Sequence, residues 1–265
     1  MQRKNFKKVT EQLFLVAALV IIISPVWLMN YFHTGDGAAH IYSAHVLTDL
    51  LFHPASVYHQ FFDLNILPVP NAIIQIILVP LLSLFSSSIA NKILVSLIIL
   101  LFLYGYIYLQ RALSHRINYP FTILLLVFCF PMKMGLYSLI AGLGMMMFSL
   151  GYYIKQNESF SFKKIFFFSV LVTVTWFFHL FACMSLLLLL FIYEVISFLQ
   201  HIKRKQSAGL YIKNKRSILL SFIPVFLLAI LFSGKAIDAT ATKFADWNSL
   251  VEWFTDFTVM HFFHT

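Results

Sequence analysis

Residues 165–200 read IFFFSVLVTVTWFFHLFACMSLLLLLFIYEVISFLQ, and His179 and Glu194 are the only acidic, basic or histidine side chains in this run. A helix that crosses a membrane needs about 20 consecutive apolar residues. The run is therefore long enough for two crossings, and His179 falls near the turn that would divide them. This stretch alone predicts a helical protein embedded in a lipid bilayer.

The composition of the whole chain agrees with that prediction. Of its 265 residues, 60% are hydrophobic and 11% are charged, against about 25% charged in ordinary soluble domains. So much apolar surface cannot be hidden inside a water-soluble globule of this size. We therefore expect a single all-α, polytopic membrane domain over residues 1–265, with further apolar runs at 13–29, 70–86, 90–110, 119–136, 138–153 and 217–233.

The positive charges orient this domain. Fifteen of the 19 Lys and Arg residues fall in the N-terminal tail and in segments 111–116, 155–164 and 203–216. All four groups lie on one side if the run 70–86 rests in the outer interface, and cytoplasmic loops carry such an excess of Lys and Arg. The charge pattern predicts seven spans, a cytoplasmic N-terminus in the cell membrane, an interfacial helix at 70–86 within an outer loop 31–89, and an outer tail at 234–265. The alternative is that 70–86 spans the bilayer and the N-terminus lies outside.

Because most of the basic residues are accounted for by cytoplasmic segments, we expect membrane lipids and no nucleic acid as partners. Both cysteines lie inside apolar runs, which indicates neither a disulfide framework nor a thiolate metal site.

The segment HTGDGAAH at 33–40 follows the first apolar run and contains a lone carboxylate, Asp36, framed by glycines. Its oxygens could cap a helix that begins near Gly37. A functional interpretation stands beside this one, because His40 lies one helical turn further on. The pair could share a proton, a cation or a substrate.

Metal binding is a second option at the outer side, to which eight of the ten histidines map. Asp36 with His40, or His45 with Asp49, could supply an i, i+4 ligand pair. Established ligand signatures are missing from the sequence, and interfacial histidines with ordinary hydrogen bonds are the alternative. We predict no cofactor and leave a divalent metal open.

Ionisable residues inside apolar runs are costly unless they pair, reach the interface or act. Lys133 could meet a phosphate or extend to the interface, and His179 could face the same cavity as Asp36. For Glu194, near the inner surface, we expect solvated pairing with the basic segment 203–216.

This arrangement resembles the N-terminal module of the GT-C superfamily, the polytopic glycosyltransferases that use polyprenol-phosphate sugars. The resemblance rests on the basic tail, the first apolar helix, Asp36 just outside it and the membrane-hugging helix at 70–86. The next span adds SIANK at 88–92 and YLQRAL at 108–113.

The resemblance implies transfer of a sugar from a polyprenyl-phosphate donor to an acceptor on the outer face of the membrane. Asp36 would act as the catalytic general base, and His40, Lys133 and His179 would bind substrate and offset charge on the leaving phosphate.

The chain also departs from that family. Gly37 stands where many members carry a second acid, and an acid on the following outer loop is missing from residues 137–144. Members are commonly about twice as long, so the chain could be part of a longer protein. These departures keep two other functions open, a catalytically inactive scaffold or assembly subunit and, with less support, a transporter.

Overall fold

The computed structural model describes residues 16–17, 19–64, 68–114, 130–156, 161–205 and 207–236, and all regular structure among them is helical. The helices are α1 Leu19–Leu28, α2 Gly37–Phe52, α3 Ile73–Leu84, α4 Ser87–Ser114, α5 Phe130–Met134, α6 Tyr137–Gln156, α7 Phe162–Phe178, α8 Leu180–Lys203, α9 Ala208–Lys215 and α10 Ile223–Ala236, with 3₁₀ segments at Val57–Gln60 and Arg216–Phe222. The predicted all-α class is confirmed for this part of the chain.

The chain divides into two compact units, residues 1–226 and residues 227–265. In the second unit the described residues, 227–236, are helical. The predictions for the basic N-terminal tail, for most of the run 119–136 and for the outer tail beyond residue 236 lie outside the described residues.

Three of the described helices, α4, α6 and α8, are long and apolar enough to cross a membrane. Helix α1, helix α3 and residues 216–232 are apolar but shorter. The prediction of a membrane protein is therefore supported by three helices of suitable length and composition.

Helices α4 and α6 pack most closely, and glycines make that approach possible. A Cβ added at Gly105 would overlap the carbonyl oxygen of Gly144, and one added at Gly144 would lie 2.8 Å from the backbone nitrogen and Cα of Phe102. Small residues allow two membrane helices to bring their backbones together in this way.

The same two helices run parallel. Asn91 lies beside Tyr137 at the start of both helices, and Tyr108 lies beside Gly151 near their ends. The last residue of α4 and the first residue of α5 therefore lie at opposite ends of the pair.

Helices α7 and α8 form a hairpin whose turn is a single residue, His179. Its backbone is extended, with φ −163° and ψ 128°, and its Nδ1 accepts a hydrogen bond from the Phe181 N–H. Cys183 Sγ lies 4.0 Å from the Val172 carbonyl oxygen, whereas residues eleven apart on a straight helix would be about 16 Å apart. The break that the sequence predicts near His179 is confirmed.

Charged side chains divide between the two ends of this helical assembly. The basic end, where α6 finishes, carries Arg111, Lys155, Lys163, Lys164, Lys203, Arg204, Lys205, Lys215 and Arg216. The opposite end, here called the polar end, holds Asp36 and His40 together with the segment 133–135.

Candidate functional site

At the polar end, the residues before α2 meet the C-terminal end of α5 and the turn after it, residues 133–135, which are here called the loop 133–135. The Gly35 N–H donates to the Lys133 carbonyl oxygen at 3.0 Å, and the Asp36 N–H donates to the Met134 carbonyl oxygen at 2.8 Å. Gly135 has φ +78°, and a Cβ there would lie 2.7 Å from the Asp36 nitrogen. Only glycine fits this position without strain, so the loop 133–135 is shaped to hold the Asp36 backbone.

Asp36 is the N-cap residue of α2, and the helix starts at Gly37 as the sequence predicts. The capping interpretation is nevertheless wrong, because the Asp36 carboxylate makes no cap hydrogen bond. N-cap residues usually adopt extended backbone angles, whereas Asp36 has φ −91° and ψ 2° while its N–H is held by the Met134 carbonyl. Asp36 is exposed, which leaves its carboxylate available to a substrate.

His40 lies next to this loop but is occupied on both ring nitrogens. The assignment consistent with its partners has Nε2 donating to the Gly135 carbonyl oxygen at 3.1 Å and Nδ1 accepting from Gln75 Nε2 at 3.3 Å. The ring also stacks on Tyr137, with 5.3 Å between centroids. His40 therefore holds the loop 133–135 against α3 and α6, rather than forming a proton-sharing pair with Asp36.

A buried polar network lies beneath the loop. Thr34 Oγ1 and the Tyr137 hydroxyl are 2.7 Å apart, and that hydroxyl lies 3.4 Å from Asn91 Oδ1. Asn91 Nδ2 in turn donates to the Phe32 carbonyl oxygen at 3.3 Å. Sequence reasoning missed Thr34, Asn91 and Tyr137, although a lone asparagine in the apolar run 90–110 was a visible signal.

The structure places Lys133 close to Asp36 and His179 farther from it. Lys133 is exposed and belongs to the loop that pairs with Asp36, so the structure brings these two residues together. His179 lies beside Gly142, about 8 Å along α6 from Tyr137. Its Nδ1 accepts a hydrogen bond from the Phe181 N–H.

The ligand pair proposed for His45 and Asp49 does not form. His45 Nε2 lies 3.1 Å from Ser87 Oγ, while the Asp49 carboxylate bonds to His53 Nδ1 at 3.0 Å and to Ser56 Oγ at 2.9 Å. In the part of the chain that the structure describes, no three His, Cys, Asp or Glu side chains are grouped to hold a metal ion.

At the basic end, Glu194 is the centre of a second polar cluster. Its Oε1 accepts from the Tyr153 hydroxyl at 2.6 Å and from Lys215 Nζ at 3.1 Å, and its Oε2 accepts from the Tyr211 hydroxyl at 2.8 Å. Pairing with the basic segment 203–216 is confirmed, but Glu194 is partly buried rather than fully solvated. Burial, and then Glu194 itself, raise the pKa of Tyr211.

Comparisons with known proteins give no further guide to the site. No family model matches the sequence, and neither a curated protein nor a solved structure matches the chain.

Proposed function

We propose that the chain is a membrane glycosyltransferase of the GT-C type, which transfers a sugar from a polyprenyl-phosphate donor at its polar end with Asp36 as general base. The observation that carries this proposal is the exposed Asp36 carboxylate, which is free of a cap bond while its backbone is fixed by Met134. A general base needs both properties, an available lone pair and a fixed position.

The residues around Asp36 take separate roles in this mechanism. Lys133, on the loop paired with Asp36, would offset the charge that develops on the leaving phosphate. His179 would border the donor site further along α6. His40 holds the loop and so positions Asp36 and Lys133 relative to each other.

The proposed topology has seven spans, an interfacial helix at 70–86 and a cytoplasmic N-terminus in the cell membrane. Helix α3 has 12 residues and is about 18 Å long, too short for a hydrocarbon core of about 30 Å. The collection of Lys and Arg at the end opposite Asp36 supports a cytoplasmic basic end. The donor would then be used on the outer face.

Cysteine accessibility in intact cells tests this topology. In a variant with Cys129 and Cys183 replaced by alanine, we expect Arg111→Cys to resist a membrane-impermeant thiol reagent and His45→Cys to react with it. Labelling of residue 111 from outside would overturn the orientation and the outer donor site with it.

Asp36→Asn tests the proposed base, because it removes the charge while keeping the size of the side chain. Transfer from a labelled polyprenyl-phosphate sugar in membranes should fall by about 10²–10⁴-fold, with an unchanged amount of folded protein. The matched control is Asp49→Asn, whose carboxylate is already bonded to His53 and Ser56 and which should keep its transfer activity. Normal transfer by the Asp36 variant would eliminate it as the base.

A second candidate function is a catalytically inactive scaffold that holds a lipid-linked glycan. It is favoured by the hydrogen bonds at the polar end. Thr34 and Tyr137 bond to each other, and His40 bonds to the Gly135 carbonyl oxygen, so these side chains serve to hold the structure together. For a scaffold, the wild-type protein would retain the polyprenyl-phosphate sugar without transferring it, and Asp36→Asn would retain it equally well.

A further inference from the structure

A cavity of about 550 Å³ opens at the basic end, far from the proposed donor site. Helices α8 and α9 and the 3₁₀ segment Arg216–Phe222 form it, and its size is typical of ligand pockets, which range over about 300–1,000 Å³. Its walls are largely apolar, and they include Leu187, Leu190, Phe191, Val195, Phe198 and Leu219. Such walls suit a hydrocarbon chain.

The wall of the cavity is open on one side. Phe191 and Leu219 line it and are 67% and 66% exposed. In a bilayer, side chains this exposed on apolar helices contact lipid, so an acyl chain can enter sideways from the membrane without first crossing water.

The charges around the cavity do not cancel. Lys215 is paired with Glu194, whose remaining oxygen is satisfied by Tyr211, so this group contributes little net charge. Arg216 also lines the cavity and is exposed, and none of the carboxylates that the structure describes is paired with it. The cavity therefore combines an apolar interior with one guanidinium that is unpaired among the described residues.

We propose that this cavity binds an anionic phospholipid of the leaflet at the basic end, with one acyl chain between α8 and the 3₁₀ segment and the phosphate on Arg216. A guanidinium matches phosphate oxygens through two parallel hydrogen bonds. Basic pockets between membrane helices on the cytoplasmic side suit anionic headgroups. This site is independent of the proposed sugar transfer and lies at the other end of the molecule.

Lipid titration followed by native mass spectrometry tests the proposal on the full chain purified and delipidated in detergent. The probes are dioleoyl phosphatidylglycerol, which is anionic, and dioleoyl phosphatidylcholine, which has the same chains and no net charge. The wild-type protein should bind the anionic lipid more tightly. Arg216→Gln should weaken that binding about five-fold, the effect of one basic side chain near an anionic headgroup. It should weaken phosphatidylcholine binding less, because the choline cation offsets the charge of that lipid's phosphate.

Two further variants separate the headgroup from the chain. Lys163→Gln removes an exposed charge at the same end but outside the cavity, and it should change neither affinity. Leu187→Trp fills the cavity and should weaken both lipids.

Equal affinity of the wild-type protein for the two lipids would overturn the proposal, as would equal effects of Arg216→Gln and Lys163→Gln. Displacement of the anionic lipid by inorganic phosphate alone would also overturn it, because the site would then recognise phosphate without a chain. Arg216 is exposed, so its variant decides the matter even if Leu187→Trp fails to fold.

Discussion

The substitution Gly144→Ala probes the parallel pair α4 and α6. The added methyl group would lie 2.8 Å from the nitrogen and Cα of Phe102 and 3.0 Å from the carbonyl carbon of Leu101. These are backbone atoms, so no side-chain rotation can relieve the contact. Overpacking of this kind costs about 1–3 kcal/mol, and alanine recovers about 1 kcal/mol through its better helix propensity.

The expected net loss is therefore about 1 kcal/mol, which lowers the unfolding midpoint by about 2–4 °C in a chain of this size. Thermal unfolding of the purified protein in detergent, followed by circular dichroism, measures that shift. Gly105→Ala should cost more, because its Cβ would overlap the Gly144 carbonyl oxygen.

Gly209→Ala is the matched control for the same residue change. Among the described residues, a Cβ at that position would have only Ser207 Oγ nearby, at 3.8 Å. The variant should therefore melt at the wild-type temperature or slightly above it. An equal or higher midpoint for Gly144→Ala than for the wild type would refute the close approach of α4 and α6.

Two further substitutions test the two ends of the helical assembly. Gly135→Ala should destabilise the protein by about 1–3 kcal/mol and reduce any transfer, since its Cβ would press on the Asp36 nitrogen at positive φ; melting and transfer assays on one preparation check both. Tyr211→Phe removes a hydrogen bond to Glu194 and should lower the melting midpoint by a few degrees, whereas an unchanged midpoint would mean that the bond contributes nothing.

The main division of the chain could be predicted from its sequence. An apolar run of about twice the span length must break once, and of its two acidic, basic or histidine side chains His179 lies nearer the middle. Pairing of Glu194 with the segment 203–216 followed from charge alone. The choice of Lys215, and the participation of Tyr153 and Tyr211, depend on how α9 folds back on α8, and no local pattern encodes that.

At Asp36, the sequence predicts the start of the helix but not the hydrogen bonding of the residue. The start of α2 at Gly37 could be predicted from the residue types. The absence of the cap bond could not, because the Asp36 backbone has angles outside the usual extended range and its N–H bonds to the carbonyl of Met134. That contact joins backbone groups nearly a hundred residues apart, and backbone groups leave no signature in the side-chain pattern. The positive φ of Gly135 is hidden in the same way, since many glycines have no special conformation.

The one-residue turn at His179 bears on how the protein is made. In the proposed topology, no hydrophilic loop has to be carried through the bilayer between α7 and α8, since the chain reverses within a single extended residue. Lys163 and Lys164 at the start of α7, and Lys203 at the end of α8, remain on the side where the ribosome works. The two helices can thus enter the bilayer as a pair, and the lysines keep both of their free ends on the cytoplasmic side.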